Sequence, residues 1–247
     1  GLNSVSVNRK IKRMKYTLIL CAVVNICIHI NAQENKDAKF MQIDFVQIKQ
    51  KASNRELYDQ LITRFIACDS TLVMEDQALI YYGYSFQPEY QGSLQDVIYA
   101  NSIQNFIKEK KYNEAIEYCI HVLDKENPVN LRMGETLAFL VYNYDYESGN
   151  KSKYIPYFKR FSAIIHTIAR SGDGSKANPY VVISIADEYA FMQSIGISKE
   201  NIKDQSLIED SQPLKRYYDV FTIHQEEKEY ELWFDISRSY LQMEDNL

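Results

Sequence analysis

The stretch Ser171-Gly172-Asp173-Gly174-Ser175-Lys176-Ala177-Asn178-Pro179-Tyr180 separates two parts of the chain that differ in sequence pattern. Two of the eight glycines of the chain, Gly172 and Gly174, lie in it, and glycine adopts left-handed backbone conformations without steric cost. Pro179 holds the residue before it in an extended conformation and cannot continue a helix. We therefore predict that residues 171–180, the hinge segment, end a helix and lead into a strand at residues 180–184.

The Gly-Asp-Gly sequence of the hinge segment also has a functional interpretation, because such loops can bind phosphate or a metal ion. A phosphate loop requires a Lys-Ser/Thr pair at the P-loop spacing, and a calcium loop requires alternating Asp or Asn residues. Neither pattern follows Gly172 or Gly174. A structural role for the hinge segment is therefore favoured.

The pattern before the hinge segment is helical, with apolar residues recurring at three- and four-residue spacing between capping signals. Ser53-Asn54-Arg55-Glu56 forms a capping box that opens the second helix, and Gly83 is expected to end the third. The predicted helices are residues 44–51, 54–67, 73–82, 94–109, 112–127, 131–144 and 154–170.

The fourth and fifth of these helices resemble one tetratricopeptide repeat. Tyr112, Ala115, Leu123 and Pro128 fall near positions that the motif uses, and the small Ala115 permits close helix approach. Ile103 departs from the motif, because a small residue is usual there, and the proline comes late. We predict degenerate, repeat-like helical hairpins and not a repeat array, since a solenoid generally needs about three repeats.

After the hinge segment the pattern changes to short strands around one helix. Ser184-Ile185-Ala186-Asp187 is a capping box, and its acids suit a helix N-terminus. Strands are predicted at residues 205–210, 217–223 and 230–236, the last two as an antiparallel hairpin. The fold class is α+β, with a helical part at residues 33–170 and a small antiparallel or mixed sheet with one helix at residues 171–247, packed together as one unit.

The first 32 residues have the pattern of a secretory signal peptide. A basic region from Arg9 to Lys15 precedes an apolar run from Tyr16 to Ile30, and Ala32 fits a signal-peptidase site. Met14 is an alternative start. The residues before Cys21 and Cys27 are not small, which disfavours a lipoprotein signal. We expect an exported chain that begins near residue 33 and has no stable membrane insertion.

Charge and cysteine content exclude some classes of function. Removal of residues 1–32 takes away five basic residues and no acidic ones, so the net charge changes from −5 to −10. Such a chain is unsuited to nucleic acid, whose binding depends on Lys and Arg. The remaining cysteines, Cys68 and Cys119, form either one disulfide or two buried thiols, and we favour the thiols.

Aromatic residues are concentrated between residues 81 and 90, in the sequence YYGYSFQPEY. Such a cluster can stack on sugar rings or grip a peptide, although packing in the core is favoured because aromatic rings have a large area to bury. His166 precedes the hinge segment and is close enough in sequence to reach Asp173. The candidate ligand-binding residues are therefore Tyr81, Tyr82, Tyr84, Tyr90, His166 and Asp173.

Other chemistry is weakly indicated. His121 lies on a helix with Glu117 and Asp124 at spacings that place all three on one face, but an exposed polar face explains this stripe equally well. The sequence lacks nucleophile-elbow, zinc-protease, Walker and dinucleotide-binding motifs. We predict no catalytic residues, no metal site and no cofactor.

Three stretches together resemble one family of exported bacterial proteins, the domain-of-unknown-function family 4919. They are Tyr81-Tyr82-Gly83-Tyr84, Ser171-Gly172-Asp173-Gly174, and Val182-Ile183-Ser184 with Asp187-Glu188-Tyr189. The resemblance implies a secreted or periplasmic protein of gut-type Gram-negative bacteria. It implies no activity and no site residues.

These observations favour a non-enzymatic binding or interaction module of the cell envelope, with a protein, peptide or glycan as its ligand. One alternative is a hydrolase acting on glycan or cell-wall material, which requires a cleft that holds His166, Asp173 and a further acid. The other is a structural envelope component, which requires a large oligomer interface.

Overall fold

The computed structural model describes residues 40–145, 151–211 and 215–240. The predicted signal peptide and its cleavage site lie outside the described residues. Seven α-helices precede the hinge segment in this part of the chain, and they are α1 (Phe45–Ala52), α2 (Arg55–Ile66), α3 (Met74–Tyr84), α4 (Ser93–Lys108), α5 (Tyr112–His121), α6 (Leu131–Tyr144) and α7 (Ile155–Ala169).

Side-chain caps determine where the first helices begin. The Asp44 carboxylate accepts hydrogen bonds from the Val46 and Gln47 amides at 2.9 and 3.1 Å and so opens α1. The cap of α2 is Asn54, which accepts from the Leu57 amide at 3.2 Å. Ser53 was expected there, but it still has helical backbone angles as the last residue associated with α1.

Gly83 does not end α3, which continues to Tyr84. A Cβ atom at Gly83 would lie 3.0 Å from the Tyr58 ring and 3.2 Å from the Ala52 side chain. The prediction of a helix stop was therefore wrong. The glycine serves instead to let α3 approach α1 and α2 closely.

The hinge segment is followed by β1 (Tyr180–Val181), α8 (Ile185–Ser194), β2 (Ile202–Asp210), β3 (Arg216–Gln225) and β4 (Lys228–Asp235). The strands form one mixed sheet in the order β1-β4-β3-β2, in which β1 is parallel to β4 and the other pairs are antiparallel. β1 is shorter than the predicted strand, because Ser184 becomes the N-cap of α8 and draws the chain out of the sheet.

The hinge segment is a tight loop that lies on β4. The Asp173 and Gly174 amides both donate to the Asn178 carbonyl at 3.0 Å, and the Trp233 amide donates to the Gly174 carbonyl at 2.8 Å. Gly174 has a φ of 76°. The Lys176 ammonium of this loop lies 5.3 Å from the centroid of the Trp233 ring, and Trp233 is 5% exposed.

Helices and sheet share one hydrophobic core, to which α3, α7, α8, β3 and β4 all contribute. A second cluster lies among α4, α5 and α6. The α+β class and the order of helices before sheet are confirmed, whereas the tetratricopeptide likeness of the α4–α5 hairpin stays a prediction. In the part of the chain that the structure describes, no helix is both long and apolar enough to cross a membrane.

Candidate functional site

The four candidate tyrosines lie in the core. Tyr81 and Tyr82 are 0% exposed, Tyr84 is 4% exposed and Tyr90 is 6% exposed. Their rings pack edge to face, with centroids 4.9 Å apart for Tyr81 and Tyr82. The four tyrosines therefore do not form an open aromatic surface for a sugar or peptide. They pack in the core, as was favoured because aromatic rings have a large area to bury.

The hydroxyl groups of Tyr81, Tyr82 and Tyr90 connect the helical part to residues 181–187. The Tyr81 hydroxyl donates to Asp187 Oδ2 at 2.7 Å, and the Tyr82 hydroxyl donates to the Val181 carbonyl at 3.1 Å. The Tyr90 hydroxyl donates to the Ile183 carbonyl. Each ring thus packs in the core, while its hydroxyl group donates to a carboxylate or carbonyl oxygen where the helical part meets residues 181–187.

Three helix N-termini converge at this junction. Their N-caps are Gly92 for α4, Asn130 for α6 and Ser184 for α8. The Asp96 carboxylate joins two of them, because it accepts from Asn130 Nδ2 at 2.8 Å through one oxygen and from the Ser184 hydroxyl through the other. Each N-terminus carries a partial positive charge, so the junction favours negatively charged groups.

A second carboxyl group, that of Asp187, lies at the same junction. Asp187 is 3% exposed and is held by the Tyr81 hydroxyl and by the backbone amide of Leu131, the first residue of α6. A carboxylate in the first turn of α8 therefore also caps α6. We call Asp96, Asn130, Ser184, Asp187 and Tyr81 the junction cluster.

A cavity of about 10 Å³ opens next to the junction cluster, which is room for about one water molecule. Its wall includes Asn127, which is 6% exposed and whose Oδ1 atom has no hydrogen-bond donor. The other lining residues are Tyr84, Tyr90, Gly92, Gln95, Asp96, Val129, Asn130, Ile183, Ser184 and Asp187.

Burial and hydrogen bonding act in opposite directions on the two junction carboxyls. Burial raises the pKa of Asp96, while its hydrogen bonds from Ser184 and Asn130 lower it. Burial and the nearby Asp96 charge raise the pKa of Asp187 well above its ordinary value, against the hydrogen bonds from Tyr81 and Leu131. The two groups therefore repel each other when both are ionised, and the helix N-termini offset part of that repulsion.

A short π-helical segment, Val122–Glu126, leads into Asn127, which lines the cavity. It follows α5 directly and closes with the Asn127 amide donating to the Val122 carbonyl at 2.8 Å. The Glu126 carboxylate accepts from the Tyr99 hydroxyl at 3.0 Å, and Asn127 Nδ2 donates to Gln95 Oε1 at 3.4 Å. Such segments re-aim side chains within a helix.

A pair of buried carboxyls also lies between α8 and β3. Glu188 is 0% exposed and Asp219 is 6% exposed. Among the described residues, none donates a hydrogen bond to either Glu188 oxygen. Burial and, after it, the Asp219 charge raise the pKa of Glu188 well above its ordinary value. A protonated Glu188 that donates to Asp219 is the arrangement that satisfies both groups.

His166 and Asp173 are not brought to the junction cluster. His166 is half-buried on α7, where burial lowers its pKa, and the exposed Asp173 accepts from the Ser175 amide at 2.9 Å within the hinge segment. His121 contacts Glu126 at 3.2 Å, and Asp124 instead pairs with the buried Arg160. Among the described residues, no group of three or more His, Cys, Asp or Glu could hold a metal ion.

Sequence reasoning missed most of the junction cluster. Asp187 was interpreted as an ordinary helix-start charge, and Asp96, Asn130 and Asn127 were not selected. Asn130 and Ser184 carried a usable signal, because each precedes a helix and is a residue type that caps helices. Nothing in the sequence showed that the two caps would share the Asp96 carboxylate.

Residues 44–245 match a protein family described as "Domain of unknown function (DUF4919)". The chain belongs to this family. No curated protein and no solved structure matches the chain. The junction cluster, the hinge segment and the buried tyrosines all lie within the matched residues, so in this DUF4919 chain they are parts of the family domain.

The outward side of α4 differs from the rest of the DUF4919 chain's surface. Eight of its residues are exposed, and only Lys108 among them is charged, in a chain with 25% charged residues. Leu94, Val97 and Ile98 are 63, 55 and 48% exposed and lie on one side of the helix at i, i+3 and i+4. We call the exposed residues of α4 the α4 face.

Proposed function

We propose that this DUF4919 protein is an exported, non-enzymatic interaction protein that binds another polypeptide through the α4 face. The observation that carries the proposal is the exposed apolar stripe of Leu94, Val97 and Ile98 on a helix side with almost no charge. The centres of protein–protein interfaces are depleted in charged residues, and clustered exposed apolar side chains mark such interfaces.

The position of α4 supports this assignment, because the helix is held firmly at its N-terminus. Asp96, one turn into α4, bonds to the caps of α6 and α8. The opposite side of α4 places Tyr99 and Ile103 in the second hydrophobic cluster. A surface on a rigid element loses little conformational entropy on binding, which favours affinity.

Export is supported by the sequence before the family domain. The basic region from Arg9 to Lys15, the apolar run after it and the small Ala32 have the order of a secretory signal peptide. The acidic charge that remains after cleavage at residue 32 suits a protein partner better than a nucleic acid. We propose a periplasmic or secreted location and a partner within the same cell envelope.

The hydrolase alternative receives no supporting observation. In the described part of the chain, no hydrogen bond joins His166 to Asp173, and the cavity beside the junction cluster has room for only about one water molecule. A glycan or cell-wall substrate would require an open cleft with two carboxyls on either side of the bond to be cleaved.

Site-specific cross-linking tests the proposal. A photo-reactive amino acid is placed at Ile98 in the full chain, expressed in its own host, and a matched chain carries it at Val46 on α1, which is 80% exposed. We expect a discrete cross-linked product, identified by mass spectrometry, from position 98 and not from position 46. With the identified partner purified, Ile98→Lys should weaken binding at least tenfold, whereas Val46→Lys should not.

Two results would overturn the proposal. One is the same set of products from positions 98 and 46, which would indicate random collision. The other is a discrete partner whose affinity is unchanged by Ile98→Lys, which would place the interface elsewhere. Cell fractionation with N-terminal sequencing of the same sample tests export, for which a mature chain beginning near residue 33 is expected.

A further inference from the structure

Within the described residues, the outermost strand of the sheet, β2, is paired along one edge only. β2 pairs with β3 on one side, and it is the last strand in the order β1-β4-β3-β2. All residues from 203 to 210 are exposed. An edge strand directs alternate backbone N–H and C=O groups away from its neighbour, where they are free to pair with another chain.

β2 has few of the features by which natural proteins block such edges. These features are lysines, prolines, bulges and covering elements. Lys203 is the only lysine in the strand, and the only irregularity in its pairing lies at the start, between Ile202 and Asp204. No proline interrupts residues 202–210. Residues 204–210 therefore present a regular, open edge.

The side chains of β2 would gain from being covered. Leu207 is 49% exposed and Ile208 is 37% exposed. Leu207 lies opposite Asp219 and Ile208 lies opposite Tyr218 in β3, so the two apolar side chains are on opposite faces of the sheet. An added strand would bring its own alternating side chains beside both of them.

The charge of β2 indicates the nature of the chain that would pair with it. The strand contains Asp204, Glu209 and Asp210 against the single Lys203, and Glu209 lies 3.9 Å from the Lys215 ammonium. Lys203 is itself paired with Glu229 in β4 at 2.6 Å. A second copy of this chain would bring the same acidic strand, and like charges opposite one another destabilise a strand pair. A basic segment would instead complement the edge.

We infer that β2 accepts an extended segment of another polypeptide, rich in lysine or arginine, as an additional strand of the sheet. This is a second interaction surface, separate from the α4 face. Backbone hydrogen bonds along residues 204–210 would supply affinity, and the acidic side chains would select basic partners, which is how strand addition generally divides these two tasks.

Defined peptides test this inference on the purified protein. The first probe is a nine-residue peptide of alternating valine and lysine. The second has glutamate in place of lysine, and the third keeps the lysines but has proline in place of valine, so that it retains the charge and cannot pair as a strand. Affinity is measured by fluorescence anisotropy, and backbone amide hydrogen exchange locates the peptide on the protein.

We expect the valine–lysine peptide to bind at least tenfold more tightly than either of the other two and to slow exchange at residues 204–210. Asp204→Lys should weaken its binding at least threefold and favour the glutamate peptide. Glu117→Lys on α5 makes the same change in net charge at an exposed site outside the sheet, and it should leave the binding unchanged.

Several outcomes would contradict strand addition at β2. Equal binding of the proline and valine peptides would show that charge alone acts, and absence of binding at millimolar peptide would show that the edge is closed. Self-association through β2, seen as exchange protection that depends on protein concentration, would make a second copy the occupant. Protection of α4 in place of β2 would overturn this inference and leave the proposed function intact.

Discussion

Glu188 shows what burial without a counter-charge does to a single residue. It is fully buried in the first turn of α8, and the groups that act on it are all acidic, Asp219 across the interface and Asp187 beside it. Gln205 in β2 also donates a hydrogen bond to Asp219, at 2.9 Å. The pair remains stable as long as one proton is shared between the two carboxyls.

Replacement of Glu188 by glutamine should therefore change how stability depends on pH. The folded state keeps a proton on Glu188 at pH values where the unfolded state releases it, so wild-type stability falls as the pH rises above about 4.5 towards the raised pKa. The variant lacks this titration. We expect similar urea stability of the two proteins at pH 4, and a variant that is more stable by about 1–2 kcal/mol at pH 8. A difference that does not vary with pH would contradict the shared proton.

Tyr81→Phe tests the junction cluster at the level of one hydroxyl group. The change removes the donor to Asp187 at 2.7 Å and the acceptor of the Ile183 amide at 3.3 Å. Loss of a hydrogen bond to a buried carboxyl should cost about 2–3 kcal/mol in urea denaturation. Tyr58→Phe is the matched control, because it removes a buried bond to a neutral carbonyl, that of Ile80, and should cost about 1 kcal/mol. Equal costs would mean that the hydrogen bond from Tyr81 to Asp187 stabilises the protein no more than a bond to a neutral carbonyl.

Individual caps were predictable from the sequence, and their shared partner was not. Ser184 was identified because a capping residue acts on amides two or three positions away, which is local information. The bond between Ser184 and Asp96 joins residues far apart in sequence, so it depends on how three helices pack. The junction cluster could therefore not be predicted from a single sequence.

At the level of elements, the hinge segment is set by a close approach of backbone to backbone. A Cβ atom at Gly172 would lie 2.3 Å from the Asn178 carbonyl oxygen and 2.4 Å from that of Pro179. Backbone atoms cannot move aside as a flexible side chain can. The loop between α7 and β1 thus has one compact geometry.

Gly172→Ala should consequently destabilise the protein by more than about 3 kcal/mol, or prevent it from folding. Gly83→Ala is the comparison, since its new methyl group would meet only side-chain atoms, the nearest at 3.0 Å. We expect that control to cost about 1–2 kcal/mol. Urea denaturation measures both costs. If Gly172→Ala does not fold, the yield of soluble protein expressed at lower temperature is compared instead. An equal, small cost for both changes would show that the loop can relax.

The elements themselves were largely predictable. Helices α4, α6 and α7 differ from their predicted ranges by at most one residue at each end, because apolar residues recur at helical spacing there. The errors have physical causes. Gly83 was predicted to end a helix, because a sequence does not show where helices pack closely. Residues 182–184 lie outside β1 because Ser184 caps α8, although their apolar character favours a strand.

At the level of the whole molecule, the shared core predicts that helices and sheet unfold together. Two natural reporters are available. Trp233 is the only tryptophan and lies in β4, while Cys119 is a free, fully buried thiol of α5 whose pKa is raised by burial to about 12. In urea we expect the tryptophan fluorescence transition and the onset of Cys119 alkylation to have the same midpoint.

Cys68 provides the control in this experiment, because it is a free and partly exposed thiol and should react before unfolding. Alkylation of Cys119 at a urea concentration where Trp233 still reports a folded sheet would show that the helical part opens by itself. The two parts would then be separate cooperative units, contrary to the expectation from the core that helices and sheet share.

The parallel pairing of β1 with β4 has a consequence for the route by which the chain reaches its folded state. Tyr180 and Phe234 are neighbours in the sheet, yet α8, β2 and β3 are all synthesised between them. Closing so long a loop is entropically costly and slow. If the polypeptide crosses a membrane as an extended thread, N-terminus first, the helices emerge well before the strand that completes their packing. The helical intermediate would then expose apolar surface until residue 235 emerges. A chaperone would be most needed during that interval.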